Sequence, residues 1–176
     1  MGQNLVPWAE NYQIVKPASE IFVVDDDEDA RDILVGSLAS EGFPVTTFAD
    51  GDSFLSAAKT RVPICVFLDV VLPERSGLEI LQELRTQQYL APIVLVSALD
   101  DLATAVEGMK HGAVDYIRKP FDRYAPAARA RDAVEFWLRR ERQGDVFDPR
   151  PNESCEWFRL TPSEKEMLLM LRLMQA

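Results

Sequence analysis

Apolar residues along this chain fall into two alternating patterns. Short β-rich runs at residues 20–24, 43–48, 64–68, 92–96 and 114–117 read as strands. Between them, apolar residues recur three and four positions apart, the spacing of one helix face. Ala30, Ile33, Leu34 and Leu38 mark the first face, which runs to about Glu41 and stops at Gly42. Phe54, Leu55 and Ala58 mark a second helix that Asp50 starts, and Leu78, Ile80, Leu81 and Leu84 mark a third. A fourth begins at Asp100 or Asp101 and closes at Gly112. A fifth covers residues 126–142, with Ala130, Val134, Trp137 and Leu138 along one side and Arg131, Glu135 and Arg139 spaced for i,i+4 pairs.

Strands and helices that alternate in this way predict an α/β domain built on a parallel sheet. Right-handed crossovers place helices on both faces. Five strands suggest a flavodoxin-like (βα)5 doubly wound sheet of order 2-1-3-4-5. In that order strands 1 and 3 are neighbours, so their carboxyl ends converge. The predicted organisation is an irregular arm at 1–19, the α/β domain at 20–125, and a fifth, extended helix at 126–143. A linker at 144–160 then leads to a last short helix at 161–176, with Thr161 as N-cap, Pro162 at its first position and Glu164 at its third.

Charge narrows the range of functions. The formal net charge is −10, and residues 1–120 hold 19 acids against 9 bases while residues 121–176 hold 10 of each. The acidic part repels phosphate backbones and suits a cation or a basic partner. Two cysteines, Cys65 in an apolar run and Cys155 in a polar stretch, make neither a disulfide framework nor a zinc spacing, which favours a reduced, cytoplasmic setting. No apolar run approaches the roughly 20 residues of a membrane helix, so no membrane partner is expected.

The candidate chemistry lies where strands end. The first is followed by Asp25-Asp26-Asp27-Glu28-Asp29 and the third by the single carboxylate Asp69, with Pro73 breaking the backbone soon after. Two unit charges about 4 Å apart repel by about 4 kcal/mol at an effective dielectric near 20. Gathered carboxylates therefore need either a proton or a cation, and hard oxygens with room for water suit Mg2+. The fourth strand ends at a hydroxyl, Ser97, and the fifth leads to an ammonium, Lys119. Acids, a hydroxyl and a lysine around one carboxylate form a phosphoryl-transfer site in which Asp69 attacks in line. Asp27, Glu28 and Asp29 read as helix-start acids, Arg31 as the partner of a nearby acid, and His111 as a solvated helix-end cation.

With these residues in place, the chain resembles a response-regulator receiver domain of bacterial two-component signalling. The matching pieces are Val23-Val24-Asp25-Asp26-Asp27, Phe67-Leu68-Asp69 with Leu72-Pro73 and Ser76-Gly77, Val96-Ser97-Ala98, and Asp115-Tyr116-Ile117-Arg118-Lys119-Pro120-Phe121. The resemblance implies that Asp69 accepts phosphate from a sensor histidine kinase. It implies that Asp26, Asp69 and the backbone carbonyl of Val71 ligate Mg2+, with Asp25 acting directly or through water. It makes Lys119 the partner of a phosphoryl oxygen, followed by a cis peptide at Pro120. Ser97 would move toward the phosphoryl group and Tyr116 would swing inward behind it. Val71 and Leu99 would flank the water that attacks the acyl phosphate; both are apolar, so slow self-dephosphorylation is expected.

Residues 160–168 resemble the opening helix of the LuxR-type helix-turn-helix domain that follows receivers in the NarL/FixJ family. Nothing follows Ala176, and residues 161–176 hold only Lys165 and Arg172 as bases. Specific DNA binding is therefore expected only through a complete output domain, either cut short here or decayed. A homodimer is expected, with Val134, Trp137 and Leu138 of the fifth helix extending the contact. Two other readings stand beside this one. An aspartyl-phosphate hydrolase of the haloacid dehalogenase type needs a second Asp two residues after the first, where this chain has Val71. A stand-alone receiver, acting as a phosphate sink or interaction module, has no DNA output.

Overall fold

The computed structural model describes residues 18–98 and 102–143, with side chains described for 20–98 and 102–135. In chain order the elements are β1 (Ala18–Val24), α1 (Glu28–Ala39), β2 (Val45–Phe48), α2 (Gly51–Ala58), β3 (Pro63–Asp69), α3 (Gly77–Thr86), β4 (Ile93–Ser97), α4 (Leu102–Lys110), β5 (Asp115–Arg118) and α5 (Ala125–Gln143). The five strands form one parallel sheet of order β2-β1-β3-β4-β5. This is the flavodoxin-like arrangement that the alternation predicts.

Strand side chains alternate between two cores, because successive residues point to opposite faces. Phe22, Val24, Val66, Leu68 and Leu95 join Phe54 of α2, Leu81 of α3 and Ala105 of α4 on one face. Ile21, Val23, Phe67, Val94 and Val96 join Leu34 and Leu38 of α1 and Ala130 and Ala133 of α5 on the other. Burying one such large apolar side chain is worth about 1.5–3 kcal/mol, so neither face is stable without its helix layer. Two close approaches set the spacing. A Cβ at Gly108 of α4 would overlap the Leu95 side chain, and one at Gly77 of α3 would overlap the backbone carbonyl of Asp69.

Helix starts and stops follow local chemistry. Asp27, Asp50 and Ser76 cap α1, α2 and α3, and Ser76 with Glu79 forms a reciprocal capping box. Gly42 and Gly112, at φ +83° and +94°, turn the chain after α1 and α4 in the left-handed region.

Several expectations need correction. Strand β1 begins at Ala18, inside the segment read as an arm, because Ala18 pairs with Pro63 of β3 across an irregularity before Ile21. Ile33 is 53% exposed rather than part of the α1 core face. The buried stripe is Leu34, Ser37 and Leu38, and the Ser37 hydroxyl donates to the backbone carbonyl of Arg123. Helix α5 starts at Ala125, one residue before Pro126. Beside the expected i,i+4 spacing, which this contact does not overturn, Arg131 of α5 pairs with Glu41 beyond the end of α1, at 2.6 Å. Cys65, as its apolar run suggests, is a buried free thiol whose pKa burial pushes up. The side chains of Trp137 and Leu138, Leu99 with the predicted start of the fourth helix, the linker, Cys155 and the last helix all lie outside the described residues.

Candidate functional site

The site sits at the carboxyl ends of β1, β3, β4 and β5. Parallel pairing brings Val24 beside Leu68 and Asp69 beside Val96, so each strand delivers its terminal polar residue to one place. The Lys119 backbone N–H donates to the Ser97 carbonyl at 2.7 Å and carries the β4–β5 ladder one residue further, to the lysine. The Lys119–Pro120 peptide is cis, as the resemblance implies.

Lys119 is the bridge of the site. Its Nζ lies 2.6 Å from Asp25 Oδ2 and 2.7 Å from Asp69 Oδ2. The second Asp69 oxygen accepts from the Val71 backbone N–H at 2.9 Å, and the second Asp25 oxygen from the Asp27 N–H at 3.0 Å. Asp25 is fully buried, Asp69 nearly so, and Asp26 is exposed. One ammonium thus stands against three carboxylates.

Protonation follows from this packing. Burial pushes the Asp25 carboxyl up, the Lys119 hydrogen bond pulls it down, and the charge of Asp69 pushes it up again; the net direction is upward. For Lys119, burial favours the neutral form, but hydrogen bonds and charge from Asp25 and Asp69 outweigh it and raise the pKa. The lysine therefore stays charged throughout the neutral range.

Asp25, Asp26 and Asp69 each present an oxygen within 4.8 Å of the others. An all-carboxylate oxygen set with one member open to solvent fits a hard divalent cation such as Mg2+. Ser97, fully buried, ends β4 beside Asp69 in the sheet order. Tyr116 is already inside: the residue is 5% exposed and belongs to the core that holds Ala105 and Met109. The Val71 side chain is half-exposed in the loop after β3, next to the N–H that holds Asp69.

Other sequence-predicted residues fall nearby. Asp27 caps α1, its carboxylate accepting from the Asp29 and Ala30 N–H groups. His111 lies beyond α4, with Nε2 3.8 Å from Glu107. Arg31 is a correction: its guanidinium reaches the backbone carbonyls of Asp25 and Asp26 rather than an acid side chain. Val134 is half-buried on α5. Sequence reasoning missed the Asp115–Arg129 ion pair that ties β5 to α5, and the seating of Gly77 against the Asp69 backbone. The Gly77 N–H also donates to the Val70 carbonyl at 2.9 Å, which fixes the start of α3 beside the phosphoacceptor candidate.

Comparison with known proteins supplies the class. The family model for the response regulator receiver domain matches residues 21–131. The chain belongs to that family. It is 43% identical over 102 residues to the transcriptional regulatory protein FixJ of Bradyrhizobium diazoefficiens, covering 58% of this chain and 50% of FixJ. It is 39% identical over 102 residues to the alkaline phosphatase synthesis transcriptional regulatory protein PhoP of Bacillus subtilis, covering 58% of this chain and 42% of PhoP. The receiver domain of NtrX from Brucella abortus superposes with a TM-score of 0.62 at 39% identity, covering 66% of this chain and 98% of that one. The chain spans half or less of the length of these two regulators. FixJ and PhoP belong to different output families, so the likeness defines the receiver and not the type of output domain.

Proposed function

We propose that Asp69 is the phosphoacceptor of a two-component switch and takes its phosphoryl group from a sensor histidine kinase. The observation that carries this reading is the Lys119 ammonium, held within 2.7 Å of both Asp25 and Asp69 beside the open carboxylate of Asp26. In the transfer an Asp69 oxygen bonds to phosphorus as the bond from phosphorus to the donor's imidazole nitrogen breaks, with its electron pair staying on that nitrogen. Asp25, Asp26, Asp69 and the Val71 carbonyl would hold Mg2+, which would supply positive charge to offset the negative charge on the phosphoryl oxygens. Lys119 pairs with one of those oxygens and Ser97 donates to another. The protein acts as a switch and catalyses only its own phosphorylation and dephosphorylation.

The readout we propose is homodimerisation, with Ser97 and Tyr116 as the coupled pair and Val134, Trp137 and Leu138 of α5 at the contact. Tyr116 is buried in this structure, so phosphorylation would strengthen an inward position rather than create it. Control of transcription, through the LuxR-type segment that residues 160–168 resemble, completes the proposal. A cytoplasmic location fits this role, and among the described residues no helix is long and apolar enough to cross a membrane.

The test is intact mass after incubation with acetyl phosphate and Mg2+, beside Asp69→Asn, with light scattering on the same samples. A mass gain of one phosphoryl group, absent from the variant and accompanied by a shift from monomer to dimer, is the expected result. No gain in the wild type refutes the acceptor, and a gain without a size change refutes the dimer readout.

A further inference from the structure

Arg31 makes an arrangement that pairing with an acid would not require. Its backbone N–H donates to the Asp27 carbonyl at 3.0 Å and closes the first turn of α1. Its side chain turns back, and Nη1 donates to the Asp25 carbonyl at 2.7 Å and to the Asp26 carbonyl at 3.0 Å. One residue thus donates to three successive carbonyls, 25, 26 and 27, where the chain leaves β1 and enters the helix. A peptide plane whose carbonyl is tied down has little freedom left, and the side chains it joins are aimed accordingly.

We propose that Arg31 is the positioning residue of the acidic turn: by holding the Asp25 and Asp26 carbonyls it keeps those two carboxylates aimed at Asp69 and Lys119. The inference rests on the reading of this site as a Mg2+-dependent phosphoacceptor. Residues that orient ligands through hydrogen bonds typically change metal affinity by 10–100-fold when removed. A plain counter-charge would do the opposite, because a cation near the acids competes with Mg2+ and its loss tightens binding. The two roles therefore differ in sign.

The experiment is Mg2+ titration by calorimetry on the full chain without a phosphodonor, for wild type, Arg31→Ala, Arg31→Lys and Ser37→Ala, with thermal unfolding of each. Ser37 lies on the same helix and bonds to Arg123 instead of the acidic turn, so its loss reports what loosening α1 alone does. Arg31→Ala is expected to weaken Mg2+ binding about 10-fold. Arg31→Lys keeps the charge and is expected to fall nearer to alanine than to wild type, since an ammonium on a shorter stem does not reach the place from which Nη1 serves both carbonyls. Ser37→Ala is expected to unfold earlier yet bind Mg2+ as wild type does. Tighter binding by Arg31→Ala, or a lysine variant indistinguishable from wild type, overturns the proposal, and so does weakening in Ser37→Ala equal to that in Arg31→Ala. If wild type itself takes up no Mg2+, the reading of the site falls and this inference with it; normal wild-type uptake with unchanged Arg31 variants removes the inference alone.

Discussion

At the amino edge of the sheet, the half-buried Arg85 bonds to backbone carbonyls rather than to an acid. Its Nε and Nη2 donate to the Gly112 carbonyl at 3.2 and 3.0 Å, its Nη1 to the Tyr89 carbonyl at 2.6 Å, and both terminal nitrogens to the Ala91 carbonyl at 3.1 Å. Those five bonds use the five N–H donors of a guanidinium. Burial lowers its pKa to about 10, which still leaves it charged at neutral pH. At the carboxyl edge the balance is reversed. Asp25 and Asp69 share one lysine, and Asp26 stands open beside them. One edge has a charge whose every bond is made inside the protein; the other has more negative charge than the protein itself neutralises. A complete polar cluster joins α3 to the turn before β5, while an incomplete one is a place where a cation or a phosphoryl group can be received.

If the edges differ in this way, damage should separate them. The largest effect is expected at the amino edge. Arg85→Ala leaves three carbonyls without their donor and should cost about 3 kcal/mol in urea denaturation, while phosphoacceptance measured well below the melting temperature persists. A cost under about 1 kcal/mol would show that water replaces the guanidinium and that the edge is not closed. Gly77→Ala is expected to cost about 2 kcal/mol, since its methyl group would overlap the Asp69 carbonyl, and it should impair phosphoacceptance as well. Loss of stability with unaltered acceptance would separate the start of α3 from the site.

The smallest effect has the opposite sign. Asp25 holds its proton more tightly in the folded protein than in the unfolded chain. Wild-type stability therefore falls as pH rises from the ordinary carboxylate range toward the elevated folded value, and the full penalty applies above it. Asp25→Asn removes that penalty. It should be more stable than wild type at pH 7 by about 1 kcal/mol, with the difference closing in acid, and it should bind Mg2+ more weakly. Greater stability in acid than at pH 7 for the variant relative to wild type would reverse the sign and contradict the account. Lys119 follows the same sign in a more alkaline window: its raised pKa gives a contribution complete below the ordinary lysine value and lost as pH climbs through the higher folded one.

The carboxyl edge was largely legible from the sequence, and the amino edge was not. Asp69, Ser97 and Lys119 each close or follow an apolar run, and parallel topology leaves such residues nowhere else to go. Arg85 and Arg31 carried no such mark, because both bind backbone carbonyls, and every residue has one of those. Ile33 falls outside the core face of α1, and Ser37 inside it, because a helix face about 100° wide excludes a residue one position off the stripe, whatever its hydrophobicity. Tyr116 could be placed on β5 but not in or out, since both positions suit the same sequence. The Gly77 approach depends on where α3 crosses the end of β3, which only the packed structure defines.

On the proposed reading Asp69, and no other acid of the pocket, carries the phosphoryl group. The most direct measurement is borohydride reduction of the phosphorylated protein followed by peptide mass mapping, because hydride converts an aspartyl phosphate to homoserine and leaves free carboxylates alone. Homoserine at position 69, with Asp25 and Asp26 intact, is the result the account requires. Homoserine at position 25 or 26, or a phosphate that survives the reduction, would contradict it.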